Sequence, residues 1–245
     1  MKLKIIFLGT GRFRDIILEE LPRSGYGIAS RRPEEIKKIR PDLLIVANFG
    51  KIITKDILNV PVYGCLNVHP SLLPKYRGPS PVQTAILNGD KETGVSVIVM
   101  DEQIDHGPIL AQKKTAIRPN ETAEDLCQRL AVLGSEILTD VIADWVKGRK
   151  KPIPQDEKKS TYTKLLTRKD GEIDWKKSPQ EIHRQIRAFS PWPGTYTFYN
   201  GKRLKILKAS LEENKLIIQE VQPEGKKPMS FKDFLLGHKD FKIPC

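Results

Sequence analysis

The sequence predicts an α/β fold, an open, Rossmann-like, mostly parallel sheet followed by a small, basic, β-rich C-terminal domain. Three observations lead there. Asp42–Ala47 is an apolar run without alternation, the pattern of a strand buried on both faces of a parallel sheet. Strand-like and helix-like patterns alternate through the first 118 residues, which calls for right-handed crossovers. The charge then changes: residues 1–145 hold 19 basic and 18 acidic side chains, whereas residues 146–245 hold 23 and 12. Nearly all of the net +12 therefore lies in the second stretch, as expected of a chemical module joined to one that meets a polyanion.

Lys2–Leu8 reads as the first strand, closing on Gly9-Thr10-Gly11 before a helix from about Phe13 to Leu21. Gly9-x-Gly11-x-x-Arg14 stands where a dinucleotide fingerprint would. Arg14 replaces the third glycine, however, and no acid closes a second strand about 20 residues on, so a tight strand-to-helix turn is expected. Tyr63–Val68 and Val95–Met100 are further strands, with a short helix near Pro81–Leu87 between them. A long helix begins at Glu121 with Asn120 as N-cap and stops at Gly148. Leu126, Leu130, Leu133, Ile137, Val141 and Trp145 recur along it at three- and four-residue spacings, so that face should pack on the sheet. Arg149–Pro154 is basic and broken by proline. A helix over Ser178–Phe189 leads to the rigid Pro191-Trp192-Pro193-Gly194. Tyr196–Tyr199 and Lys202–Lys208 form a hairpin about Asn200-Gly201, the strongest two-residue hairpin signal, and Leu216–Val221 is a third strand.

Composition narrows the function classes. With 39% hydrophobic and 29% charged residues a packed core is expected, and no run of eighteen apolar residues offers a membrane span. The opening Met1–Gly9 is too short and alternating for a signal-peptide core. Cys65, Cys127 and Cys245 form no C-x-x-C pair, so neither a disulfide framework nor a zinc knuckle is expected, and a reducing cytosol is the simplest compartment.

Chemistry concentrates in two loops. Asn67-Val68-His69 ends a strand, where open α/β sheets place ligands, and residues i and i+2 project to one face. The proline-stiffened Pro70–Pro79 follows, and Met100–Gly107 closes the next strand with three acids. A carboxylate beside His69 would fix its tautomer, and an amide beside both could stabilise an oxyanion.

These segments resemble the 10-formyltetrahydrofolate-dependent formyltransferases. The resemblance is carried by Asn67–Pro74 with Arg77-Gly78, and by Gly94–Val97 through Asp105-His106-Gly107. Ser71–Gly78, Gly89-Asp90-x-Glu92-Thr93-Gly94-Val95, Ile173-Asp174-Trp175, Arg187-Ala188-Phe189-x-Pro191-Trp192-Pro193 and Gln222-Pro223-x-Gly225-Lys226-Lys227-Pro228-Met229 point to the branch that formylates methionyl-tRNA. It implies a formyltransferase fold with a truncated OB-like C-terminal domain. The implied domains are 1–162 catalytic, 163–185 linker and 186–245 C-terminal.

It also implies catalytic roles for Asn67, His69 and Asp105. Folate would lie along Ala47, Asn48, Phe49, Gly50 and Lys51, along Ser71, Leu72, Leu73 and Pro74, and along the backbone of Glu102, Gln103 and Ile104 up to Asp105. The implied partners are 10-formyltetrahydrofolate as co-substrate and charged initiator tRNA through the basic C-terminal part. No metal or membrane is implied, and a monomer is expected. His106, His183 and His238 match no catalytic position and read as surface or packing residues. An amino sugar linked to a nucleotide is the alternative acceptor, and an RNA-binding module on an inactive fold the alternative class. Against the family pattern, Gly25–Arg40 leaves no room for the basic loop that grips the tRNA acceptor end, keeping only Arg31-Arg32 and Lys37-Lys38 nearby.

Overall fold

Leu43–Ala47, buried at every position, is the strand on which the first sheet is built. The computed structural model describes residues 3–21, 26–30 and 32–241; Lys2, Gly25, Arg31 and Cys245, named above, lie outside them. The chain divides into two units, one of residues 1–81, 92–116 and 127–164, the other of residues 82–91, 117–126 and 165–245.

The first unit holds a six-stranded sheet: β1 (Leu3–Gly9), β2 (Tyr26–Ser30), β3 (Leu43–Ala47), β4 (Cys65–His69), β5 (Glu92–Val99) and β6 (Ile109–Ala116), in the order β2-β1-β3-β4-β5-β6. The first four strands run parallel; β5 and β6 are antiparallel additions at one edge. Neither β2 nor β6 is among the expected strands, and β6 shows why. Its Gln112, Lys113 and Lys114 hide the apolar alternation, and charge of this kind is common on an edge strand. Two further helices are α1 (Gly11–Glu20) and α2 (Ile36–Ile39), so α2 follows β2 after a single short 3-10 turn at Pro33–Glu35. On one sheet face Leu44, Val46 and Cys65 pack with Ile36, Ile53 and Leu58, the last from α3 (Lys55–Leu58). α4 (Pro81–Leu87) matches the expected short helix.

The long helix α5 spans Ala123–Val146. Its N-cap is Thr122, not Asn120: Thr122 Oγ1 accepts from Asp125 N at 3.2 Å, and the Asp125 carboxylate accepts from Thr122 N at 3.1 Å. Its buried face also differs from the one expected. Leu126, Leu130, Leu138, Val141 and Ile142 are buried, while Leu133, Ile137 and Trp145 are only half-buried. Gly134 explains the rotation, because a Cβ there would stand 2.9 Å from Val68 Cγ1 and 3.4 Å from Val95 Cγ2. The helix approaches β4 and β5 most closely where it has no side chain. A count of apolar residues passes over that position.

In the second unit α6 (Pro179–Ala188) starts from a Ser178–Glu181 capping box. The strands are β7 (Thr195–Tyr199), β8 (Lys202–Glu212), β9 (Lys215–Pro223) and β10 (Met229–Ser230), antiparallel in the order β10-β9-β8-β7, and α7 covers Phe231–Gly237. The hairpin turn forms as expected, with φ of 48° at Asn200 and 73° at Gly201. Ile182, Ile186, Leu204, Ile206, Val221 and Phe234 make the core. No helix among the described residues is long and apolar enough to cross a membrane.

Candidate active site

Strand β4 projects Asn67 and His69 to the sheet face that also carries Cys65, and all three are buried. Because β5 runs antiparallel, with Leu66 opposite Val99, its carboxyl end lies beside the start of β4 rather than beside His69. The expected convergence at neighbouring strand ends is therefore reached differently. Residues 100–107 fold back along the face: Met100 N donates to Cys65 O at 2.8 Å, and Val99 N to Pro108 O at 3.0 Å. Gly107 makes the return possible, since a Cβ on it would lie 1.7 Å from Val99 O.

The return brings Asp105 to β4. Its Oδ1 accepts from Asn67 Nδ2 at 2.9 Å, its Oδ2 accepts from Gly78 N at 2.8 Å, and Oδ2 stands 3.5 Å from His69 Nδ1. His69 Nε2 lies 2.9 Å from Tyr76 O. A carbonyl can only accept, so Nε2 carries the proton in the neutral ring, and Nδ1 takes the second when the ring is charged. At 3.5 Å that Nδ1 proton is not committed to Asp105, and Asn67 Nδ2 has a second hydrogen that Asp105 does not take. Two donors thus flank one carboxylate, an arrangement suited to holding developing negative charge on an oxygen while the carboxylate keeps both donors in place.

The loop after β4 is fixed by residues outside the sequence expectation. Ser96 Oγ donates to Ser71 O at 2.6 Å and accepts from Leu73 N at 3.1 Å, and Gln112 Nε2 donates to Leu73 O at 2.8 Å. Arg77 is fully buried. Its guanidinium donates to Gln155 Oε1, to both Glu157 carboxylate oxygens and to the Tyr162 hydroxyl. His106 is more than a surface residue, with Nδ1 2.6 Å from Asp101 Oδ2 and Nε2 3.5 Å from Glu157 Oε1. The available signal was Arg77 itself, because a buried guanidinium needs acidic or amide partners, and Pro154-Gln155-Asp156-Glu157 supplies them.

Where β4 begins lies a groove of about 650 Å³, lined by Leu58, Cys65, Val99 and Met100 together with Lys55, Asn59, Asp101, Glu102 and Gln103. Burial pushes the Cys65 thiol up to about 12, so it serves as apolar wall rather than nucleophile. Lys55 and Glu102 pair at 2.6 Å at the rim. Of the other positions expected to meet folate, Ala47 and Ser71 are buried and Leu73 nearly so, Phe49 packs on the core, Asn48 Nδ2 donates to Thr10 O at 2.8 Å, Gly50 is open, and Ile104 is exposed. Leu72 and Pro74 are half-buried. No group of His, Cys, Asp and Glu among the described residues could hold a metal ion.

The Arg77 hydrogen bond holds the Glu157 carboxyl below its ordinary 4.5. A carboxylate lowered on folding adds stability that is fully present above the ordinary value and is lost as pH falls through the lowered one. Glu157→Gln should therefore melt below the wild type at neutral pH, with the gap closing as the pH drops under 4.5. A gap that ignores pH in thermal scans would show that the pair contributes nothing through charge.

Two family models match this chain: formyl transferase over residues 26–142 and the formyl transferase C-terminal domain over residues 165–216. The methionyl-tRNA formyltransferase of Myxococcus xanthus is 40% identical over 228 residues, 84% of this chain and 73% of that protein. Since 84% of 245 residues falls short of 228, the relative carries residues inside the matched stretch that this chain lacks. Among solved structures, a methionyl-tRNA formyltransferase from Clostridium thermocellum shares the fold at a TM-score of 0.73 and 24% identity, over 90% of this chain and 98% of that one. HypX from Aquifex aeolicus, solved with tetrahydrofolic acid, does so at 0.79 and 18%, over 96% of this chain, which spans about half of HypX (47%). The chain belongs to the formyl transferase family and, within it, to the methionyl-tRNA formyltransferases.

Proposed function

We propose that this chain moves the formyl group of 10-formyltetrahydrofolate to the α-amine of methionyl-tRNA, with Asn67, His69 and Asp105 as its catalytic residues. The observation that carries the reading is the shared carboxylate: Asp105 engages Asn67 and Gly78 directly and faces His69, inside a chain of this family. Folate supplies the formyl group. The groove suits it, because its lining mixes apolar side chains with polar and charged ones, as a flat ring with donors and acceptors requires. Glu102 and Gln103 line it, while Ile104, Ala47–Gly50 and Ser71–Pro74 are proposed to meet the rest of the molecule.

As the amine attacks the formyl carbon, the second Asn67 hydrogen and the His69 Nδ1 proton hold the oxygen that becomes negative. Asp105 faces His69 Nδ1 and, through a water, takes the proton the amine loses, which ends on the folate nitrogen as its bond to the formyl carbon breaks. No covalent enzyme intermediate is needed. The chemistry is assigned to residues 1–162, and tRNA contact to the basic stretch after residue 145, including the 186–245 domain. Lys151, Lys158, Lys159, Lys202, Lys205 and Lys208 are all exposed there. No particular contact favours an amino-sugar nucleotide as acceptor.

Replacing Asn67, His69 or Asp105 by Ala should lower formyl transfer to charged initiator tRNA by about 10²–10³-fold with folding intact. Near-normal turnover by His69→Ala would sink the assignment. tRNA binding should weaken steeply with salt, and neutralising the lysines of Lys150–Lys159 and Lys202–Lys208 should flatten the log–log slope by roughly 0.7 to 0.9 per lost phosphate contact. An unchanged slope in filter-binding or fluorescence titrations would reduce the basic stretch to a solvated surface.

A further inference from the structure

We infer that Arg77 and Gln155 are positioning residues for Asp105, a role that rests on the catalytic reading above. Gln155 is saturated in a single orientation. Its Nε2 donates one hydrogen to Asp105 O at 2.8 Å and the other to Gly107 O at 2.7 Å, while its Oε1 accepts from Arg77 Nε at 3.1 Å and Nη2 at 2.8 Å. A guanidinium can only donate, so Arg77 forces the amide oxygen toward itself and the amide nitrogen toward the two carbonyls. The main chain held in this way is an unfavourable one, since Asp105 has a φ of 50° in the left-handed region. Released from Gln155, residues 105–107 have other conformations open to them, and the carboxylate would leave Asn67.

The same arginine governs the other end of Asp105. Its backbone is strapped to the neighbouring segment, with Arg77 N donating to Thr161 O at 2.8 Å and Thr163 N donating to Arg77 O at 2.8 Å. That strap sets Gly78, whose N donates to the Asp105 carboxylate. Asp105 is thus held by its carbonyl through Gln155 and by its carboxylate through Gly78, and both routes start at Arg77. Burying a guanidinium is costly unless all its donors are used, and here Glu157 and Tyr162 take those that Gln155 leaves. In this reading Gln155 and Arg77 act through Asp105.

A double-mutant cycle tests this. Gln155→Glu keeps an acceptor toward Arg77 but turns an oxygen on the Asp105 and Gly107 carbonyls. Formyl-transfer kcat and folate KM are measured for wild type, Gln155→Glu, Asp105→Ala and the double variant, with thermal midpoints to confirm folding. Gln155→Met, of similar length and without donors, replaces Gln155→Glu if the latter does not fold. The single variant should lose about 10- to 100-fold in kcat with folate KM nearly unchanged, because displacing a reacting group by about 1 Å has a cost of this order. In the Asp105→Ala background the same substitution should cost nothing further. Arg77→Lys, which keeps the charge but loses the fork, should lower kcat in the same way and add nothing to Gln155→Glu. Equal losses in both backgrounds, or a Gln155→Glu enzyme with normal kcat, overturn the inference alone. A fully active Asp105→Ala enzyme overturns the catalytic reading beneath it.

Discussion

The carboxylate of Asp105 is the point on which the rest of the site depends. A carboxylate removed from most of its water must be paired or hydrogen-bonded, and this one has the Asn67 amide, the Gly78 N–H and the His69 ring around it. Those partners come from β4 and from the loop that follows it, so the chain after β5 has to turn back across the sheet face to deliver the acid. The antiparallel direction of β5, the missing side chain at Gly107 and the left-handed backbone of Asp105 all serve that return. Two costly features of the first unit, the left-handed backbone of Asp105 and the buried Arg77 guanidinium, meet here: Gln155 joins the guanidinium to the Asp105 carbonyl by hydrogen bonds.

The division of charge acquires a physical meaning beside the site. Around Asn67 the carboxylate of Asp105, the Gly78 N–H and the Tyr76 carbonyl are engaged, while an Asn67 hydrogen and His69 Nδ1 stay open, an arrangement suited to charge on one oxygen. The basic stretch is open. Its lysines stand in solvent, and where Arg203 does pack it lies over the Tyr196 ring at 4.1 Å, leaving Phe198 half exposed beside it. Solvated cations suit phosphates, which position a nucleic acid without reading its sequence. Between β2 and α2 the short 3-10 turn leaves no length for a longer loop, and the relatives' extra residues within the matched stretch accord with that.

What the sequence disclosed follows the range over which residues act. Asn67 and His69 were legible because i, i+2 on a strand is fixed geometry, and the Asn200-Gly201 turn because its φ requirement is local. Asp105 lies 38 residues from Asn67 and came from resemblance rather than spacing. The Arg77–Gln155 contact spans 78 residues, and a buried guanidinium's need for partners does not say where in the chain they lie. The errors on α5 were of another kind. Its start and its buried face were assigned from residue types, whereas Thr122 won the cap by a reciprocal bond with Asp125, and Gly134, apolar by absence, set the closest approach to the sheet. Edge strand β6 was hidden by the charges that protect it.

The account's central claim is that this framework fixes where the His69 proton sits, with Nε2 tied to the Tyr76 carbonyl and Nδ1 turned to Asp105. Nitrogen-15 NMR of the neutral imidazole in the folded protein tests that directly. A neutral ring protonated at Nε2, in the wild type and in Asp105→Asn alike, is the expected result, because the Tyr76 carbonyl can only accept. A neutral ring protonated at Nδ1 would contradict it.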